Sequence, residues 1–159
     1  TTPPTEFGTY AVEAVIDDTN YTGTKSGTLT IRGQSVTEWS SQVFTPEQVS
    51  AGLAAPDADA DGDGLKNRAE YALGTNPNSP TPPIAPVRDG NGLTITFTRP
   101  KDLQDVIYGA ESSDSFVSWT PLTLEVITDG PVQTVRVRDP LTSGNPARRF
   151  IRLTFSAPP

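Results

Sequence analysis

The sequence contains no cysteine, no histidine and no methionine. Without thiol or imidazole there is no thiolate nucleophile, no imidazole base and no ordinary zinc, haem or iron–sulfur ligand set. Disulfides are excluded as well, so stability has to come from a packed core, from oxygen-ligated metal or from assembly. Cysteine usage therefore leaves the redox compartment open. The start at Thr1, without methionine, reads as a processed product or a fragment boundary. Long hydrophobic runs are missing too: nothing approaches the roughly 18 apolar residues of a membrane span, and no signal peptide is recognisable. Basic residues are in deficit, 12 Lys and Arg against 19 Asp and Glu, for a net charge of −7. That balance argues against a nucleic-acid backbone or an anionic membrane as partner.

What is present suits short strands and many turns. The 159 residues include 16 Pro and 13 Gly, and only 19% are charged. Such a length holds one ordinary domain or two small ones. A threonine-rich, acidic, cysteine-free composition fits a secreted bacterial β protein, placed outside the cell or at its surface.

Three segments separate by pattern, and together they predict a mainly β chain. Residues 1–40 form an N-terminal hairpin arm. Between Gly8 and Ile16, Tyr10, Val12, Ala14 and Ile16 share one face of a strand, with Glu13 on the other. Asp17 to Gly23 makes a loop, and a second strand runs from Gly27 to Ile31. A lone two-stranded hairpin is marginal in water and needs another surface to cover it. Residues 45–78 are the helical part. Thr45 is an N-cap, Pro46 the first helical residue and Gln48 the reciprocal partner, with Val49 and Leu53 on one face and Pro56 as the stop. A second helix is predicted from Leu65 to Leu73, ended by Gly74. A stiff run with Pro80, Pro82, Pro83 and Pro86 follows. Residues 84–159 alternate as a small antiparallel β-sandwich. Leu93, Ile95 and Phe97, then Val135 and Val137, then Ile151, Leu153 and Phe155 interleave with Thr and Arg. Stretches around 106–110 and 122–127 add further strands.

The one site with chemistry lies between the two helices. Asp57, Asp59, Asp61 and Asp63 crowd four carboxylates into seven residues, which repel one another unless a cation sits among them. Counting Asp59 as position 1 puts Asp61 and Asp63 at 3 and 5, Gly64 at 6, Leu65 at 7, Asn67 at 9 and Glu70 at 12. This is the EF-hand type of calcium spacing: short carboxylates, a glycine for the sharp turn, a backbone carbonyl, a polar residue and a closing bidentate Glu. The predicted ligands of Ca2+ are therefore Asp59, Asp61, Asp63, Leu65 through its carbonyl, Asn67 and Glu70. Counting from Asp57 puts Arg68 at position 12 and fails, so Asp57 stands outside the ligand ring as an optional contributor. Position 8 is Lys66 and no second loop pairs with this one, which argues against a calmodulin-like switch. The expected role is structural: the ion pins two short helices and orders the junction between the β segments.

From Asp59 through Glu70-Tyr71-Ala72-Leu73-Gly74-Thr75-Asn76-Pro77, the sequence resembles the bacterial thrombospondin-type-3-like calcium repeat. Asn76 stands where that family usually has Asp. Glu111-Ser112-Ser113-Asp114 through Trp119, and Arg149-Phe150-Ile151-Arg152-Leu153, are similar to the β module that often follows this repeat in large secreted proteins of Verrucomicrobia-like bacteria. The stretch from Gly8 to Ile31 resembles the last two strands of bacterial Ig-like adhesin repeats, with the rest of that repeat missing. The resemblances imply an extracellular, adhesive or fibrous parent protein without enzymatic activity.

An Ig-like remnant leaves an apolar strand face short of partners. It can fold onto its own sandwich, fray, or complete the sheet of a neighbouring molecule. The last option predicts a homopolymer built through the N-terminal arm, since a head-to-tail contact that does not close a ring makes a filament. The alternative is a monomeric C-terminal adhesin module, with carbohydrate binding as one variant, for which Trp39, Tyr108 and Trp119 would form a sugar platform; the simpler reading of these rings is as core or junction residues. Enzymatic acid–base work would have only carboxylate pairs such as Glu111/Asp114 or Glu125/Asp129 to draw on. A Lys–Asn cross-link would need Lys25, Lys66 or Lys101 buried, against the usual exposure of lysine.

Overall fold

A computed structural model of the chain describes residues 8–89, 92–101, 103–140 and 148–159. By its backbone contacts the chain divides into two compact units, Thr1–Gln34 and Ser35–Pro159. The first is a hairpin of β1 (Gly8–Asp17) and β2 (Thr22–Ile31), paired in register from Gly8↔Ile31 to Asp17↔Thr22. One face carries Tyr10, Val12, Ala14 and Ile16, with Leu29 opposite Tyr10. The other carries hydroxyls, including Thr9 and Thr30, whose Oγ1 atoms lie 3.4 Å apart. β2 begins five residues before the predicted start at Gly27. Gly23 and Gly27 explain the extension: they sit opposite Ile16 and Val12 and give those branched side chains room to lie across the strand.

The second unit starts with a helix that spacing alone did not announce, α1 (Val36–Val43). Ser35 and Glu38 form a reciprocal capping box, and Val36, Trp39 and Val43 turn toward one small core. Residues 35–40, assigned by sequence to the arm, are thus helix and cap of the second unit. α2 (Pro46–Ser50) has the predicted Thr45/Gln48 box but stops well short of Pro56. Gly52 turns the chain at φ +78°, so Val49 stays exposed and only Leu53 is half-buried. α3 (Asn67–Leu73) begins two residues later than expected, after Lys66 in extended conformation, and ends at Gly74 with φ +72°.

The strands form an antiparallel sandwich, as predicted. β3 (Val87–Asp89), β4 (Gly92–Pro100), β7 (Leu124–Thr128) and β8 (Val132–Pro140) make one sheet in the order β3-β4-β8-β7. β5 (Ile107–Ser113), β6 (Thr120–Pro121) and β9 (Phe150–Ser156) make the other, in the order β6-β5-β9. Ile95, Phe97, Val135, Val137 and Ala110 fill the space between them, joined by Leu153, Phe155 and, from outside the sheets, Leu73 of α3. A second cluster gathers Trp39, Phe44, Tyr71, Ala72 and Val106. Consecutive residues of α3 therefore serve two cores: Tyr71 and Ala72 one, Leu73 the other. Asp139 is buried by pairing with Arg149 at 2.6 Å, with Ser112 Oγ donating to the same carboxylate.

Gly74 is the position on which the end of α3 turns. A Cβ there would sit 3.0 Å from Pro100 Cγ as well as in the left-handed region. Gly74→Ala should lower stability by about 1–2 kcal/mol. The check is a reduced urea midpoint at unchanged m; an unchanged midpoint would contradict this account of the helix stop.

Candidate metal centre

The acidic loop folds by letting each carboxylate capture its own backbone. Asp59 accepts from Gly62 N–H at 2.8 Å and Gly64 N–H at 2.9 Å. Asp61 accepts from Asp63 N–H at 3.1 Å, and Asp63 from Leu65 N–H at 2.7 Å. Gly62 and Gly64, at φ +79° and +94°, supply the left-handed turns that other residues adopt at a penalty. The loop is then stapled to its surroundings. Asn67 Nδ2 donates to the carbonyls of Leu53 and Ala55 at 2.6 and 2.8 Å, and its backbone N–H to Ala58 at 2.8 Å.

These bonds bring Asp59, Asp61 and Asp63 together, with one oxygen of each within 4.8 Å of the others. Glu70 approaches from the first turn of α3 and is fully buried. Thr75 Oγ1 donates to its Oε1 at 3.4 Å, while Oε2 has no protein partner. Asp61 Oδ2 and Asn67 Oδ1 are likewise buried and without a partner. Burial first, then the charges of Asp61, Asp63 and Asp59, push the Glu70 carboxyl up to about 7. Three orphaned oxygens beside crowded carboxylates describe a place for a hard cation, because buried polar atoms are otherwise bonded. Asn67 shows the division of labour: its amide nitrogen holds the loop, leaving its oxygen free. Leu65 has its side chain against the sandwich core, so only its backbone is available, as position 7 requires. Asp57 lies outside the cluster, exposed and 3.5 Å from Lys66 Nζ.

Two supports of this site were not legible in the motif. Thr81, beyond the helix, donates its N–H to Asp63 Oδ2 at 2.7 Å. Asp105, from between β4 and β5, accepts from Tyr71 Oη at 2.7 Å and from Val36 N–H at 2.8 Å, tying α3 to the start of α1. Burial and the Asp105 carboxylate push the Tyr71 phenol well above its usual range. Neither contact has a spacing signal, since both partners are distant in sequence.

The other chemical candidates are engaged elsewhere. Glu111, Glu125 and Asp129 are paired with Arg152, Arg136 and Lys101 respectively. Trp39 packs against Phe44 and Tyr71, and Tyr108 donates to the Ala72 carbonyl at 2.7 Å beneath Arg99. Trp119 is covered on one face by Arg152 at 3.8 Å. Of the lysines considered for cross-linking, Lys25 and Lys66 are exposed and Lys101 is half-buried.

With this geometry in hand, comparison with known families is informative over two stretches. Residues 59–80 match the bacterial TSP3 repeat. Residues 1–35 match the MBG domain. Neither the curated proteins nor the solved structures give a match. Both matched families are structural or repeat families rather than enzymes. TSP3 repeats bind calcium and occur in extracellular proteins, so the matches point to a calcium-binding module of secreted surface proteins. Among the described residues no helix is long and apolar enough to cross a membrane.

Calcium that binds only the folded chain should stabilise it, by about 2.7 kcal/mol at a hundredfold excess over Kd. Asp61→Ala and Glu70→Gln should abolish that increment, and Asp57→Ala should largely keep it. Thermal melts with calcium and with chelator test this; equal melts for the parent chain would rule out a structural ion.

The metal-free chain should also respond to pH in a defined direction. Glu70 keeps its proton up to about pH 7 when folded, against a reference of 4.5. Between those values the folded state binds more protons, so this group's contribution to stability grows as pH falls and levels off below the lower value. Saturating calcium holds the carboxylate ionised and should flatten this slope between those values. Urea midpoints at neutral and mildly acidic pH, in chelator and in calcium, read the sign directly.

Proposed function

We propose that the chain is a structural subunit of an extracellular bacterial filament, stiffened by calcium at Asp59, Asp61, Asp63, Leu65, Asn67 and Glu70 and joined by strand complementation between copies. The observation that carries this reading is the hairpin. Val12, Ile16 and Leu29 share one of its faces and are 42%, 55% and 43% exposed. Two strands alone do not bury enough to be stable, and an apolar stripe along β1, extended by Leu29 of β2, calls for a second surface. A neighbouring copy supplies that surface repeatedly, and a contact between two different faces propagates as a filament unless it closes a ring. The calcium loop fits the same role, because a chain without disulfides gains stability from an ion that binds only its folded form.

A second reading, a monomeric adhesin module that binds a glycan, draws on the loop before β6. Phe116 and Val117 are 62% and 89% exposed there, and the Phe116 ring lies edge-on to Trp119 and stacks against Phe150. The rings already cover one another, which leaves little open aromatic face for a sugar and favours the filament reading.

Sedimentation velocity and negative-stain microscopy of the purified chain in calcium should show concentration-dependent polymers. A strictly monomeric species at high concentration would overturn the filament reading. Saturable binding on a glycan array, lost on Trp119→Ala, would support the module reading instead.

A further inference from the structure

The turn of the hairpin carries chemistry that neither reading of the function uses. β1 and β2 close on the pair Asp17↔Thr22, which leaves Asp18, Thr19, Asn20 and Tyr21 as the connecting loop. All of these residues are exposed, Tyr21 to 71%. Within the loop Asp18 Oδ1 accepts from Asn20 N–H at 2.8 Å, the local turn that Asp favours. That bond engages the backbone of Asn20 and not its side chain. The carboxamide of Asn20 has no hydrogen-bond partner among the described residues, and neither has the hydroxyl of Thr22. Asn20-Tyr21-Thr22 is the Asn-x-Thr acceptor pattern. Of the six asparagines in the chain, Asn20 alone has Ser or Thr two residues further on. The single copy of the pattern thus falls on an exposed turn with its reactive groups unengaged.

We propose that Asn20 is a glycosylation site, whose side-chain amide accepts an oligosaccharide from a lipid-pyrophosphate donor through an oligosaccharyltransferase. The step is a group transfer without redox change. Asn20 Nδ2 forms a bond to the anomeric carbon of the first sugar, and the bond from that carbon to the pyrophosphate oxygen breaks. Lipid pyrophosphate leaves with the electron pair, and the amide proton passes to a base of the transferase. The turn suits this chemistry. Residues two apart in extended chain share a face, so a groove that takes the segment extended reads the Thr22 hydroxyl beside the Asn20 amide. Adopting that shape breaks the exposed Asp18–Asn20 bond, whose groups return to water at little net cost. It also loosens the end of a two-stranded hairpin, which is marginal by itself. The loop is the end of the hairpin remote from Ile31, after which the chain leads into the second unit; the strands put about 30 Å between the two ends. The proposal depends on neither the filament nor the adhesin reading. It requires only that the transferase meets the exported chain.

The test is the full chain exported from a bacterial host that carries an oligosaccharyltransferase and its lipid-linked oligosaccharide, read by intact mass and peptide mapping. A co-exported reporter that already accepts sugar in that host serves as the positive control. The chain should gain the mass of one oligosaccharide, on the peptide that contains Asn20. Asn20→Gln and Thr22→Val should both lose that mass, whereas Thr22→Ser, which keeps the hydroxyl, should retain much of it. Both positions are exposed, and circular dichroism confirms that each variant is folded. A chain without added mass beside a modified reporter overturns the proposal. Added mass that survives Asn20→Gln overturns it as well, because the sugar then sits on another residue. Neither result bears on the filament reading, which sedimentation decides separately.

Discussion

Everything around the loop follows from a repulsion that the polypeptide alone does not cancel. Three carboxylates with oxygens within 4.8 Å of one another, and a fourth buried among them, interact by a few kcal/mol per pair even at an effective dielectric near 20. Backbone N–H groups offset part of this: Gly62, Asp63, Gly64 and Leu65 from the loop and Thr81 from beyond the helix each donate one. The shortfall is visible as orphaned oxygens on Asp61, Asn67 and Glu70 and as a Glu70 carboxyl that holds its proton to about pH 7. A divalent cation removes repulsion and orphans together, and the hydrogen bonds already in place mean that the loop is shaped before the ion arrives.

Helix α3 carries the consequence into the rest of the unit. It has seven residues, too few to be stable as an isolated helix, so its existence depends on what its side chains reach. Glu70 points into the acidic loop, Tyr71 and Ala72 into the cluster with Trp39 and Phe44, and Leu73 into the sandwich. Loosening any of these three attachments weakens the other two, because the helix is the short rod that connects them. Asp105 reinforces the arrangement by joining Tyr71 to the N-terminus of α1. A cation held by these carboxylates would accordingly be architectural: it would complete one of three anchors of a helix that cannot hold itself.

Much of this was readable from residues alone, and the boundary between what was and what was not has a physical cause. The loop was legible because a tight turn imposes alternation on its ligands and glycine on its corners, so Asp59, Asp61, Asp63 and Gly64 announce themselves by spacing. The strands at Ile95, Val135 and Leu153 were legible because one face meets a core and the other water. α1 was missed although Ser35 and Glu38 form a capping box, because its apolar residues Val36, Trp39 and Val43 are few and its partner core is assembled from four distant segments. α2 was drawn too long because Val49 and Leu53 imitate helical periodicity; Gly52 breaks it. Thr81 and Asp105 were invisible because long-range backbone and side-chain hydrogen bonds leave no local signature.

A further long-range contact, from Thr81 to Asp63, links the acidic loop to the side of the sandwich. Asp63 places one oxygen on Leu65 N–H and the other on Thr81 N–H, and Thr81 lines two apolar cavities at the side of the sandwich, of about 330 and 320 Å³. Leu65 lines the larger of the two and packs on the sandwich core. Whatever fixes Asp63 therefore also fixes the chain that borders the groove. A cation bound at the loop would restrict the positions open to Thr81 and Leu65, and so would hold the stretch that follows α3 against the sandwich core.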